Sequence, residues 1–235
     1  MKNFEIKNID KGIFLIKEKL YKESANLYLI KGNKFDLLID TGTGIWNLKK
    51  EIQKITKNKI LVVNTHAHFD HCGGNYQFKN IAIHKIENTF LKKPDKENTA
   101  SFLFEKSDIK APIPIKEYKV KYSKASKILS NAKEIDLGNK KIKVIHTPGH
   151  SPGSICMYNK EKQILFSGDL IYNGKLLFNL SHSNKKRYIK SLKKISKLKI
   201  KKVFPGHNEA FDGIKLKKMI FSAIKLLKIE KPNNL

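Results

Sequence analysis

The chain is poor in several things, and each shortage narrows what it can be. Arginine occurs once, as Arg187, although the 235 residues carry 48 Lys plus Arg against 21 Asp plus Glu, a formal charge of +27. Proteins built to read phosphates or bases exploit the bidentate guanidinium fork, whereas lysine supplies only diffuse, salt-sensitive attraction. The lysines run from Lys2 to Lys231 among abundant Ile and Asn, without forming a stripe. That scatter is the pattern of a compositional background, so nucleic acid is not the expected partner. Cysteine is limited to Cys72 and Cys156, too few for a disulfide framework and in keeping with a reducing compartment. No run approaches the ~18 consecutive apolar residues of a membrane span. The opening Met-Lys-Asn-Phe-Glu-Ile alternates apolar with polar, so no signal peptide is visible. The expectation is a soluble cytoplasmic protein with no membrane partner. With 40% hydrophobic residues recurring throughout, a disordered polyelectrolyte is excluded and one sizeable core is expected, as a single domain over 1–235.

What is present reads as alternating strands and helices. Strands are expected at Phe4 to Ile9, Gly12 to Glu18, Leu27 to Lys31 and Phe35 to Ile39 from their period-two alternation. Ile45, Leu48, Ile52 and Ile55 recur at helical spacing. Further strands are expected at Ile60 to Val63, Ile81 to Ile83, Lys141 to Ile145, Ser154 to Tyr158, Gln163 to Ser167 and Val203-Phe204. Helices are expected near Lys85 to Leu91, over Arg187 to Leu198 with Tyr188, Leu192 and Ile195 on one face, and through Leu216, Ile220, Ile224 and Leu227. Hairpins exclude a purely parallel sheet, so a layered α/β fold with mixed sheets fits. The stretch from about 94 to 130, with Pro112, Pro114, Phe102, Phe104 and Ile113 and with Phe90 just before it, reads as an insertion or apolar lid.

The densest chemistry lies in Thr65-His66-Ala67-His68-Phe69-Asp70-His71-Cys72-Gly73-Gly74, directly after a strand. Alternate residues leaving a strand share a face, so His66 and His68 can turn toward one point, while the tighter turn beyond aims Asp70 and His71 at a second. Three later strands end in the same way: Ile145-His146-Thr147-Pro148-Gly149-His150, Phe166-Ser167-Gly168-Asp169 and Phe204-Pro205-Gly206-His207. A rigid strand that delivers a ligand type into a Gly- or Pro-shaped loop is how distant residues are gathered into one site. His146 is expected to pack or hydrogen-bond, His84 to lie at the surface or behind the ligands, His182 to sit in an exposed loop, and Cys72 to be a small packing residue.

Together these motifs resemble the metallo-β-lactamase-fold hydrolases, particularly the glyoxalase II-like and lactonase-like members, over nearly the whole chain. The resemblance implies a four-layered αββα sandwich with two mixed sheets. It implies one metal on His66, His68 and His150, a second on Asp70, His71 and His207, and Asp169 bridging, with two zinc ions per chain and manganese or iron also acceptable to such donors. Asp40 would steady the metal loops without ligating.

By that likeness, a metal-activated hydroxide attacks the carbonyl of a thioester, ester or lactone. Asp70 orients it, and Tyr172 is similar to the tyrosine that lactonase-like members carry beyond the bridging aspartate as an oxyanion donor. Residues 208–235 leave room for one helix and a tail, not for a glutathione-binding helical region. Aspartate at 169, where some true β-lactamases place cysteine, argues against antibiotic hydrolysis. Two other readings use the same fold. A transfer-RNA 3′-processing nuclease would suit the basic charge, but such enzymes carry an RNA-gripping arm and a glycine where this chain has Phe69. A mononuclear iron persulfide dioxygenase uses fewer protein ligands than the seven available here. A small, anionic substrate is the expected partner of a basic protein, and the sequence carries no signature of an oligomeric state.

Overall fold

The computed structural model describes residues 3–20, 24–105 and 117–229. Two compact units emerge, one from residues 1–129 with 136–141 and the other from 130–135 with 142–235.

The first unit is built on a seven-stranded mixed sheet. β1 (Phe4–Asp10), β2 (Ile13–Glu18), β3 (Asn26–Ile30) and β4 (Asp36–Ile39) form an antiparallel meander. β4 then pairs in parallel with β5 (Ile60–Val63), β5 with β6 (Ile81–His84), and β6 with β7 (Lys127–Leu129). β3 and β4 are buried at every residue, as expected of strands covered on both faces. α1 (Leu48–Ile55) begins where Asn47 caps the amide of Lys50 at 3.0 Å, and it buries Leu48 and Ile52 against the sheet's core. α2 (Phe69–Cys72), α3 (Glu87–Lys92) and α4 (Phe102–Glu105) are short.

Described residues of the stretch from about 94 to 130 pack onto the first unit. Tyr118 and Val120 join the core of the first unit, Phe90 and Leu103 pack against it, and β7 extends the sheet. Pro112, Ile113 and Pro114 lie outside the described residues. Because β7 covers its free edge, β6 is an internal strand, and His84 at its end is buried rather than superficial.

The second unit carries a six-stranded mixed sheet in the order β13-β12-β11-β10-β9-β8. Its strands are β8 (Glu134–Asp136), β9 (Lys141–His146), β10 (Ile155–Asn159), β11 (Ile164–Gly168), β12 (Lys202–Pro205) and β13 (Phe211–Asp212). β11 and β12 pair in parallel, whereas β9–β10, β10–β11 and β12–β13 are antiparallel. α5 (Lys185–Ile195) starts at Asn184, whose side chain accepts from the Arg187 amide at 2.9 Å, and it buries Tyr188, Leu192 and Ile195. α6 (Gly213–Ile229) buries Leu216, Ile220, Ala223 and Leu227 on one face. Among the described residues no helix is long and apolar enough to cross a membrane.

Candidate functional site

Strand pairing decides where the polar residues of each unit come together. In the first unit the register sets Ile39 of β4 beside Val63 of β5. The residues that follow, Asp40 and Asn64-Thr65, therefore leave the same sheet edge side by side. Asp40 turns there through a left-handed conformation (φ 61), which aspartate tolerates better than most residues. Its carboxylate accepts from the Thr65 amide at 2.7 Å, the Thr65 hydroxyl at 2.8 Å and His71 Nδ1 at 2.8 Å. Burial pushes the Asp40 carboxyl up, and the hydrogen bonds from His71 and Thr65 oppose that push. The Thr65 hydroxyl lies 3.0 Å from His66 Nδ1. Since it donates to Asp40, its lone pair receives the His66 proton. Both rings are thereby set as Nδ1–H tautomers, which places the ring lone pair on Nε2.

The peptide between His66 and His68 is held from both sides. The buried Glu87 of α3 accepts the Ala67 amide at 3.0 Å, and the Cys72 thiol donates to the Ala67 carbonyl at 3.2 Å. Burial, with Asp40, Asp70 and Glu87 nearby, pushes the Cys72 thiol up, and the side chain packs in the apolar core of this unit. The His71 carbonyl receives the Thr41 amide at 2.8 Å and the Asn64 side chain at 2.9 Å. Gly73 is required here, since a Cβ would collide with the carbonyls of Thr43 and Phe69. His66, His68, Asp70 and His71 are all buried, and Asp70 Oδ2 lies 3.8 Å from His71 Nε2.

The second unit repeats the device. Gly168 of β11 stands opposite Pro205 of β12, so Asp169 and Gly206-His207 emerge together. Gly206 has no room for a Cβ, which would fall on Asp169 Oδ1. Asp169 Oδ2 lies 3.2 Å from His207 Nε2 and 3.6 Å from His150 Nε2. His150 Nδ1 donates to the Leu177 carbonyl at 2.8 Å, which again leaves Nε2 as the lone pair. Tyr188 of α5, buried in the apolar stripe, donates to the carbonyls of Asp169 and Leu170 at 2.9 and 2.8 Å. Ser183 donates to the His150 carbonyl at 2.7 Å. The Tyr172 ring stacks obliquely on His207 at 5.3 Å, and its hydroxyl donates to the Lys175 carbonyl at 2.7 Å. His146 Nε2 meets the Pro152 carbonyl at 3.1 Å, as expected of a hydrogen-bonded residue, and His182 is half-buried.

These donors fit a metal. Two donors bound to one tetrahedral zinc at about 2.0–2.1 Å stand roughly 3.3 Å apart. The carboxylate to Nε2 separations of 3.2, 3.6 and 3.8 Å bracket that value. His and Asp groups able to hold metal ions are thus present among the described residues.

Three supporting residues escape a reading of the sequence alone. Glu87 resembles the solvated charge of a lysine-flanked helix, and Tyr188 resembles core. Glu18 is the end of an alternating strand, where sharing a face with the buried Ile16 is the one signal that it points inward. Glu18 is buried and accepts from the Thr43 amide at 2.9 Å and the Thr43 hydroxyl at 3.1 Å. Burial pushes its carboxyl up to about 7, partly opposed by those hydrogen bonds. Between pH ~4.5 and ~7 the unfolded chain releases this proton while the folded chain keeps it. Stability from Glu18 is therefore present below the lower value and lost as pH rises through the upper one, on the order of 3 kcal/mol. In chelator, the difference in unfolding free energy between wild type and E18Q should change by that amount between pH 4.5 and 8. Parallel curves would reject the assignment.

Two mixed sheets flanked by helices, with His and Asp donors at strand ends, define a metal-dependent α/β hydrolase. Residues 20–207 match the metallo-beta-lactamase superfamily, and the chain belongs to that family. Acyl-coenzyme A thioesterase MBLAC2 of Homo sapiens is 33% identical over 231 residues, covering 89% of this chain and 83% of the relative. The probable metallo-hydrolase MJ0888 of Methanocaldococcus jannaschii is 31% identical over 229 residues, covering 90% and 98%. A metallo-beta-lactamase family protein of Thermus thermophilus shares the fold, with a TM-score of 0.71 at 18% identity over 94% of this chain and 81% of that one.

Proposed function

We propose that the chain hydrolyses acyl thioesters, with His66, His68, Asp70, His71, His150, Asp169 and His207 holding two divalent metal ions, zinc before manganese or iron. The observation that carries the metal is the orientation of the rings. His66, His71 and His150 each commit Nδ1 to an oxygen and keep Nε2 for ligation. The substrate class is supported by the likeness to a thioesterase over most of both chains.

Bound divalent metal supplies a water whose pKa is lowered toward neutrality and a Lewis acid for the carbonyl oxygen. The protein's own groups do the rest. Asp70 accepts a hydrogen bond from the attacking water and directs its lone pair at the thioester carbon. With metal bound, the water would give up one proton to solvent as the C–O bond forms, the C–S bond would break, and the thiolate would depart and take a proton from solvent, leaving a carboxylic acid and a thiol. Tyr172 donates to the developing oxyanion once substrate displaces its bond to the Lys175 carbonyl. A basic protein favours the anionic carrier of such a thioester.

Metal analysis combined with a panel of acyl-coenzyme A thioesters, lactones and RNA tests this. The expected result is about two metal equivalents, turnover of thioesters that chelator abolishes and zinc restores, and a 10²–10³-fold lower kcat in Y172F. One iron per chain, or cleavage of RNA alone, would overturn the reading.

A further inference from the structure

A cavity of about 520 Å³ lies in the second unit between α6 and the loop that follows Asp169. That size falls in the range of about 300–1,000 Å³ that holds small organic ligands. Its walls are mainly apolar, from Ile171, Leu176, Phe178, Met219, Ala223 and Leu226. Exposed Lys175 and Ser222 also line it.

The loop that walls this cavity also holds the candidate ligands of the same unit. Its Leu177 carbonyl takes the His150 proton at 2.8 Å, its Tyr172 ring lies on His207, and its Asn173 carbonyl accepts from Asn208 at 2.9 Å. An apolar chamber one side chain away from the ligands, with a cation in its lining, matches an amphipathic acid derivative whose reactive carbon sits at the ligands and whose tail runs under α6. We propose that this cavity seats the hydrocarbon tail of a linear medium- or long-chain acyl thioester and so sets chain-length preference. The assignment rests on the thioesterase reading, and it extends that reading to the tail.

Zinc-loaded full-length protein should show kcat/KM rising from acetyl- through hexanoyl- to dodecanoyl-coenzyme A, by up to roughly fourfold per buried methylene. S222W places an indole from an exposed helix position into the cavity, and it should lower the dodecanoyl-to-acetyl ratio at least tenfold. F221A removes an exposed ring of α6 that does not line the cavity, and it should leave the ratio unchanged. An unaltered ratio in S222W, or an equal fall in F221A, overturns the assignment. Displacement of a fluorescent fatty acid by dodecanoyl-coenzyme A separates the two proposals. If no thioester is cleaved but S222W weakens this binding tenfold or more, the tail site stands and the thioesterase reading falls. If wild type binds neither compound, the tail site falls by itself.

Discussion

Replacing Asp169 by Asn should lower kcat for thioester hydrolysis by about three orders of magnitude and cost the protein about one metal equivalent. The magnitude follows from the several kcal/mol that a metal contributes to stabilising the charge of a transition state. The change isolates one group. Tyr188 and the β11–β12 pairing hold Asp169 through its backbone, so the loop keeps its course when the side chain changes. What disappears is the carboxylate whose Oδ2 lies within 3.6 Å of both His150 and His207. A carboxamide offers one oxygen and one NH₂ and cannot serve two ions. Metal content by mass spectrometry of the native protein, measured beside kcat, checks this. D169N with two retained equivalents and activity within tenfold of wild type would remove Asp169 from the centre.

The second large effect is expected at Asp40, a residue that holds no metal in this reading. In D40N, if the side-chain oxygen keeps the Thr65 amide, the new NH₂ faces His71 Nδ1 and the Thr65 hydroxyl, so donors meet donors. His71 then has to move its proton to Nε2, the atom that ligation needs. Loss of such a supporting partner weakens metal binding by about 10–100-fold, and a competitive zinc titration reads it directly. The folded state should survive, because burial already raises the pKa of this carboxyl and a neutral isostere carries no such burden. Wild-type zinc affinity in D40N would show that His71 is oriented by something else.

Much of this organisation was legible in the sequence because donors follow strands whose apolar residues announce them. Ile60 to Val63, Gln163 to Ser167 and Val203-Phe204 each lie close to a real strand that ends at a donor-bearing loop. The short strands β7, β8 and β13 were not legible, since two or three residues hold no periodicity to detect, and β7 pairs with the strand that ends in the buried His84. Glu87 and Tyr188 act through the backbone of other segments, as acceptor for Ala67 and donor to Asp169. Such partnerships are set by tertiary packing alone. The cavity under α6 was invisible for the same reason: Met219 and Leu226 continue an ordinary helical pattern, and only the path of the loop after Asp169 leaves space beside them.

The parallel pairs β4–β5 and β11–β12 carry one more implication. Their registers place Asp40 beside Thr65 and Asp169 beside His207 whatever the length of chain running elsewhere. Lengthening an exposed connection costs only a slowly growing loop-closure entropy, whereas slipping a strand by a single residue turns every side chain on it to the opposite face. The molecule thus separates what must be held from what is free to vary. The His and Asp donors are machined into the strand ends, and the connections between them can be redrawn without moving a donor.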